Sequence, residues 1–135
     1  MKIIVAHNSP DWDAIMSIWL LKRFLAGWQD ASVEFVPAGQ RSSRASRDGS
    51  GITDPIEPVG SGEMIHVDTG MGPLDHHQIE DDSVSAASLT WNFVKEKVSG
   101  GERWEEKKEA IDRIVRIVVD IHHFKEVFWD NPAAD

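Results

Sequence analysis

The sequence predicts an α/β fold, a single domain whose mainly parallel β-sheet is flanked by helices. Three observations carry that expectation. A β-branched run after Met1 passes directly into helical spacing, and further short apolar runs are separated by connections long enough to return the chain in the same direction. The 135 residues give room for one compact domain, 1–135, and for no second one. A composition 41% hydrophobic and 27% charged is apolar enough for a packed core and too apolar for disorder by composition.

Lys2 to Ala6 reads as a buried first strand, stopped by the turn residues His7-Asn8-Ser9-Pro10. From Asp11 the spacing is helical, with Ile15, Ile18, Trp19, Leu21 and Leu25 on an apolar face bordered by Lys22 and Arg23, and Gly27 ends the helix. Ser32 to Pro37 is a second strand. Residues from about 38 to 62 are rich in Ser, Gly, Pro and Arg without periodicity and predict a long loop, a feature associated with function or mobility. Glu63 to Val67 is a third strand, ending at Asp68-Thr69-Gly70. Asp82 and Ser83 supply capping residues for a helix from about Val84 to Val98, which Ser99-Gly100-Gly101 terminates. A last helix spans about Arg103 to Val119, with Ile111, Ile114, Val115 and Val118 on one face; its β-branched end also suits a strand.

Acidic residues outnumber basic ones 23 to 14, for a net charge of −9, which argues against coating duplex DNA because the phosphate backbone is repelled. Without cysteine there are no disulfides, thiolate nucleophiles or zinc-thiolate sites, so a metal would be held by His, Asp or Glu. No apolar stretch approaches the roughly 20 residues of a membrane span, and the amino terminus lacks a secretory pattern. The expected address is cytoplasmic, with no membrane partner.

Ligands in α/β sheets bind beyond the carboxyl ends of the strands. The first such end carries His7, Asp11 and Asp13, three donors suited to a hard or borderline divalent cation; a solvent-facing turn with both aspartates as helix N-terminal charges uses the same residues. The second carries Asp68 and then Asp75-His76-His77. Adjacent histidines are hard to explain as core packing because each buried imidazole needs its polar atoms satisfied, whereas a surface pair needs no explanation. The conjunction of the two motifs at two strand ends is far more specific than either alone.

These residues resemble the DHH phosphoesterase superfamily of metal-dependent pyrophosphatases, exopolyphosphatases, exonucleases and phosphodiesterases. His7-Asn8-Ser9-Pro10-Asp11-Trp12-Asp13-Ala14 is similar to its first motif, Val67-Asp68 to its second and Asp75-His76-His77 to its third. Val67 to Gln78 followed by Ser85-Ala86-Ala87-Ser88 resembles the DHHQ branch labelled metal-dependent protein hydrolase, and Asp120-Ile121-His122-His123-Phe124 is a loose match to the fourth motif.

The resemblance implies a two-metal site, with Mn²⁺ as the expected ion and Mg²⁺ or Co²⁺ as substitutes. His7 and Asp11 would hold one ion, Asp13, His76 and Asp120 the other, and Asp68 would bridge them. His77 would face the substrate phosphate and Asp75 would orient its neighbours. The implied activity is hydrolysis of a phosphodiester or phosphoanhydride in a nucleotide, short oligonucleotide, pyrophosphate or polyphosphate, without a protein nucleophile. The alternative is a binding module that keeps a metal or nucleotide without turnover.

Three features depart from the family. Only six residues separate Asp68 from Asp75. The fourth motif lacks the usual Thr-Gly, which makes Asp130 a rival to Asp120. Family enzymes close a second domain over the metals; here the chain is a piece of a longer protein, or a partner chain or second copy would supply the lid, or the domain works on an open site. Arg41, Arg44 and Arg47 form a basic cluster able to grip an anionic substrate, although a solvated loop is the commoner use of such residues. Ser85 and Ser88 suit capping more than phosphate binding, His122 and His123 suit structural roles or spare ligands, and Trp12 suits stacking on a base.

Overall fold

The computed structural model describes residues 1–45, 49 and 51–125. Strands β1 (Lys2–His7), β2 (Ser32–Val36), β3 (Glu57–Val59) and β4 (Gly62–His66) form one sheet in the order β2-β1-β4-β3. β1 pairs in parallel with both β2 and β4, while β3 runs antiparallel to β4. The segment expected to be loop from 38 to 62 therefore contains an edge strand. The tight Val59-to-Gly62 reversal lets Glu57 to Val59 fold back on β4, with Gly60 at φ 58°.

The period of two along the strands sorts the core into two faces. Ile4, Ala6, Ile65 and Val67 join Leu20, Leu21, Trp91, Val94, Ile111 and Val115 in one cluster with the helices. Ile3, Val5, Val36 and Met64 form a second cluster, packed by Ala45 and Val59. Among the described residues, then, helices cover one face and the 38–59 segment touches the other, where the sequence predicts helices flanking the sheet without distinguishing its faces.

Helix α1 (Trp12–Phe24) begins where Asp11 leaves extended backbone and caps the Ala14 amide at 3.0 Å, which satisfies one of the donors that a helix start leaves open. Helix α2 (Ala86–Lys97) starts after Ser85, two residues later than the sequence predicts, with the Ser88 hydroxyl accepting from the Ser85 amide at 2.9 Å. Helix α3 (Trp104–His122) continues three residues past its expected end at Val119. Ile111, Val115, Val118 and Val119 are buried at helical spacing, which settles the β-branched segment as helix over strand. None of the described helices is long and apolar enough to cross a membrane.

α1 is joined to α2 by a buried carboxylate. Asp13 accepts from the Ala86 amide at 3.0 Å and the Ala87 amide at 2.8 Å, so two open donors of the α2 start end on one side chain of α1. Ala86 and Ala87 are fully buried, and their small side chains allow this approach.

The chain leaves β1 through α1 toward β2 on one side of the sheet and later returns to β4 on the other. The carboxyl ends of β1 and β4 thus border the crevice where parallel sheets bind ligands. Val5 pairs with His66, which brings His7 level with Asp68, two residues on in each strand.

Replacing Asp13 by Ala leaves two buried amides without an acceptor and should destabilise the metal-free protein by about 1–3 kcal/mol. Urea denaturation measures it, and an unchanged midpoint would contradict the role given to this carboxylate.

Candidate metal centre

Asp68 sits at the middle of the crevice, 1% exposed and with φ 57°, a left-handed conformation uncommon for a residue other than glycine. Its backbone is held there by a hydrogen bond that the Asp68 amide donates to the Leu74 carbonyl at 3.0 Å. One carboxylate oxygen, Oδ2, lies 2.9 Å from His7 Nε2. The other, Oδ1, lies 3.2 Å from His76 Nε2, and the same nitrogen is 3.5 Å from Asp13 Oδ2. His122 Nδ1 approaches from α3, 3.7 Å from both Asp11 Oδ2 and Asp13 Oδ2.

These side chains converge in three overlapping groups: His7 with Asp11 and Asp68, Asp68 with His76 and His77, and Asp13 with His76 and His122, the candidate ligand atoms of each lying within 4.8 Å of one another. Asp68 belongs to the first two and His76 to the last two, so the donors form a continuous array along the crevice.

Asp68 Oδ1 and His76 Nε2 are both buried and neither makes a hydrogen bond. At 3.2 Å the two attract as charges, but the ring and carboxylate are not aligned for a proton to lie between them. Buried polar atoms are nearly always satisfied, and these two have only their contact with each other, which leaves both able to take a cation as well. With anionic oxygens on several sides and imidazole nitrogens between them, the donor set fits a divalent cation of intermediate hardness.

Burial acts first on the Asp68 carboxyl and would raise its pKa, but the closeness and charge of His76 and His7 outweigh it, and Asp68 is held below the usual carboxylate range. For His76 the nearby Asp68 carboxylate is the largest influence; it overcomes burial and, with Asp13 and Asp75, raises the imidazole above its ordinary value. Burial lowers His7, yet the Asn8 carbonyl together with Asp68 and Asp11 more than compensates, so it too is raised. Asp13 is pushed up, by burial first and by the Asp68 charge, against the donors at the start of α2. For His7, His76 and Asp68 the opposite charges thus favour each other's ionised form.

Asp75 is buried and accepts from the Met71 amide at 2.8 Å and the His77 amide at 3.2 Å, while its Oδ1 also holds His77 Nδ1. That contact orients a ring that is about half exposed. The rings of His76 and His77 stack with centroids 4.3 Å apart.

The remaining predicted residues are placed differently. The Arg41 guanidinium bonds Glu57 and, at 3.0 Å, the Gly70 carbonyl; His66 Nδ1 bonds Glu57 at 3.0 Å, and His66 Nε2 accepts from the Ser42 amide at 3.1 Å. Burial opposes ionisation of Glu57, but His66 and Arg41 prevail and lower its pKa. Arg41 thereby ties the 38–45 segment to the turn after Asp68, packed so closely that a Cβ on Gly70 would fall 2.9 Å from Arg41 Cγ. Arg44 is exposed, and Arg47 and Asp130 lie outside the described residues.

Asp120 lines a separate cleft between α2 and α3 with Asn92, Lys95 and Arg116, and none of the three converging groups includes it. Two positions apart on a helix, Asp120 and His122 face different sides, and His122 is the one beside Asp11 and Asp13. The signal available in the sequence was that helical phase. Glu57 and His66 had no such signal, because their partners are distant in the chain. No family model, curated protein or solved structure matches this chain.

The raised histidines set a pH dependence. Groups raised from 6.5 on folding contribute stability that is fully present below 6.5 and is lost as pH rises through their folded values. Asp68, lowered from 3.8, contributes stability above 3.8 that is lost as pH falls through its folded value, while raised Asp13 favours the fold toward acid. The metal-free protein in EDTA should therefore show a melting temperature that falls as pH rises above 6.5. His76→Gln should flatten that fall, and a melting temperature that rises through the same window would contradict the protonation scheme.

Proposed function

We propose that this protein is a divalent-metal-dependent hydrolase of phosphodiesters or phosphoanhydrides in small phosphorylated molecules or short oligonucleotides. The observation that carries the metal part is the buried pair Asp68 Oδ1 and His76 Nε2, 3.2 Å apart and without a hydrogen bond in good geometry, at the junction of the three donor groups. The phosphate part rests on the likeness of the motifs around His7, Asp68 and Asp75-His76-His77 to the DHH superfamily.

His7, Asp11 and Asp68 would hold one ion and Asp68, Asp13, His76 and His122 a second, with His122 in the place the sequence gives to Asp120. Manganese suits this mixture of carboxylate and imidazole, with Mg²⁺ or Co²⁺ as alternatives. When bound, such ions supply Lewis acidity: activation of water as the nucleophile and neutralisation of charge on a phosphoryl oxygen.

The chain's own residues do the rest. Asp75 fixes the ring of His77, so that its outer nitrogen can hydrogen-bond the substrate at the mouth of the crevice. Asp13 divides its charge between the α2 amides and the His76 side of the site, which keeps His76 from swinging out. Arg41, through Gly70, fixes the turn that gives Asp68 its left-handed backbone.

Metal-loaded protein assayed against a chromogenic phosphodiester, pyrophosphate, a short oligoribonucleotide and cyclic dinucleotides tests the proposal. Turnover should require Mn²⁺ or a substitute and disappear in Asp68→Asn. His76→Ala should weaken Mn²⁺ affinity by at least ~10–100-fold, whereas His77→Ala should keep affinity and lose turnover. Equal metal loss in both variants would overturn the division of roles, and tight metal binding without turnover on every substrate would identify a binding module.

A further inference from the structure

Among the described residues, α1 and α3 leave a large apolar groove uncovered. It is lined by Trp12, Ile15, Met16, Trp19, Ile114, Ile117, Val118 and Ile121 and encloses about 420 Å³. The exposed residues repeat at helical spacing on both sides, with Trp12 at 67%, Ile15 at 45% and Trp19 at 42% on α1, and Ile114 at 45%, Ile117 at 48% and Ile121 at 37% on α3. Large side chains carry roughly 150–250 Å² each, so the strip presents on the order of 600 Å² of apolar surface, the upper end of what a monomer leaves uncovered. Two such strips face to face would bury about 1,200 Å², where stable interfaces begin. Tryptophan and isoleucine without a charge at the centre is the composition of an interface core.

The ends of the strip have opposite charge. Trp12 shares a cleft with Asp11, Asp13, Ile121 and His122, so α1 begins where α3 ends and the two helices run antiparallel. That end opens on the carboxylates of the metal crevice. At the far end, one turn beyond Trp19, the stripe continues into Lys22 and Arg23 on α1, while on α3 the charges pair among themselves, Arg103 with Glu106 and Lys108 with Glu105, so α1 alone makes this end basic. Arg23 and Arg113 are exposed, and Glu109 is the acidic neighbour of Arg113, at 4.0 Å.

An apolar strip that is acidic at one end and basic at the other is complementary to itself when reversed. We propose that the protein forms a two-fold symmetric dimer through the α1–α3 groove, antiparallel, with the basic end of each copy over the acidic crevice of the other. An isologous interface requires that each patch match its own copy turned by 180°, and this strip meets the requirement in shape and charge. With the axis at the centre of the groove, Trp19 lies over the partner's Trp12. Arg23, one turn further along α1, then falls opposite the turn that carries Asp11 of the partner subunit. The second copy thereby roofs the crevice. If the site binds phosphate esters, as proposed above, the partner's Arg23 adds a guanidinium to the substrate's oxygens. The dimer itself does not depend on that reading.

Sedimentation at micromolar concentrations, without substrate, tests the interface independently of any activity. The wild-type chain should sediment as a dimer, and Ile117→Glu as a monomer with an unchanged circular dichroism spectrum. Arg23→Glu and Asp11→Arg should each weaken self-association by about tenfold or more, and an equimolar mixture of the two should recover a dimer, because the swapped charges meet only in the hybrid. A wild-type monomer at tens of micromolar would overturn the proposal. So would a dimer indifferent to Ile117→Glu, or one in which the charge-swapped pair shows no recovery.

Discussion

The crevice between β1 and β4 is organised by the difficulty of burying negative charge. Asp13, Asp68 and Asp75 are each only 1% exposed, and carboxylates in such surroundings demand hydrogen bonds, cations or protons. Asp75 meets the demand with the Met71 and His77 amides and the His77 ring, and Asp13 with the Ala86 and Ala87 amides. Asp68 receives no such donors at Oδ1, and its backbone is held in a left-handed conformation that brings it between two histidines.

The surrounding structure can be read as support for this one placement. Parallel pairing of β1 with β4 sets His7 beside Asp68, and the turn from Thr69 to Leu74 returns the chain so that His76 meets it from the other side. The Thr69 hydroxyl donates to the Gln40 carbonyl at 2.6 Å, and Arg41 grips Gly70, so the outer segment restrains the turn at two points. That buried network of Arg41, Glu57 and His66 does for the backbone of Asp68 what the Asp75–His77 contact does for the ring of His77.

Periodicity and turn chemistry made the three parallel strands and the helices legible, because those signals are local. β3 was not legible: Glu57-Pro58-Val59 is too short to alternate and contains a proline that only an edge strand tolerates. The site was legible in its motifs, since His7, Asp11, Asp13, Asp68, His76 and His77 all reach one crevice. The approach of His122 was not, because which residues of α3 face Asp11 and Asp13 depends on the rotation of the helix about its axis, which packing of Ile111, Val115 and Val118 decides. The sequence presents Arg41 only as one of three basic residues available to an anionic substrate, because Glu57 and His66, its buried neighbours in space, lie 16 and 25 residues away in sequence.

Crystals grown with Mn²⁺ and measured on both sides of the manganese absorption edge test the central claim most directly. The account predicts anomalous density within bonding distance of Asp68 Oδ1 and His76 Nε2, extending to Asp13 or His122 on one side and to His7 on the other. Anomalous density confined to surface carboxylates, with Asp68 and His76 still unpartnered, would contradict it.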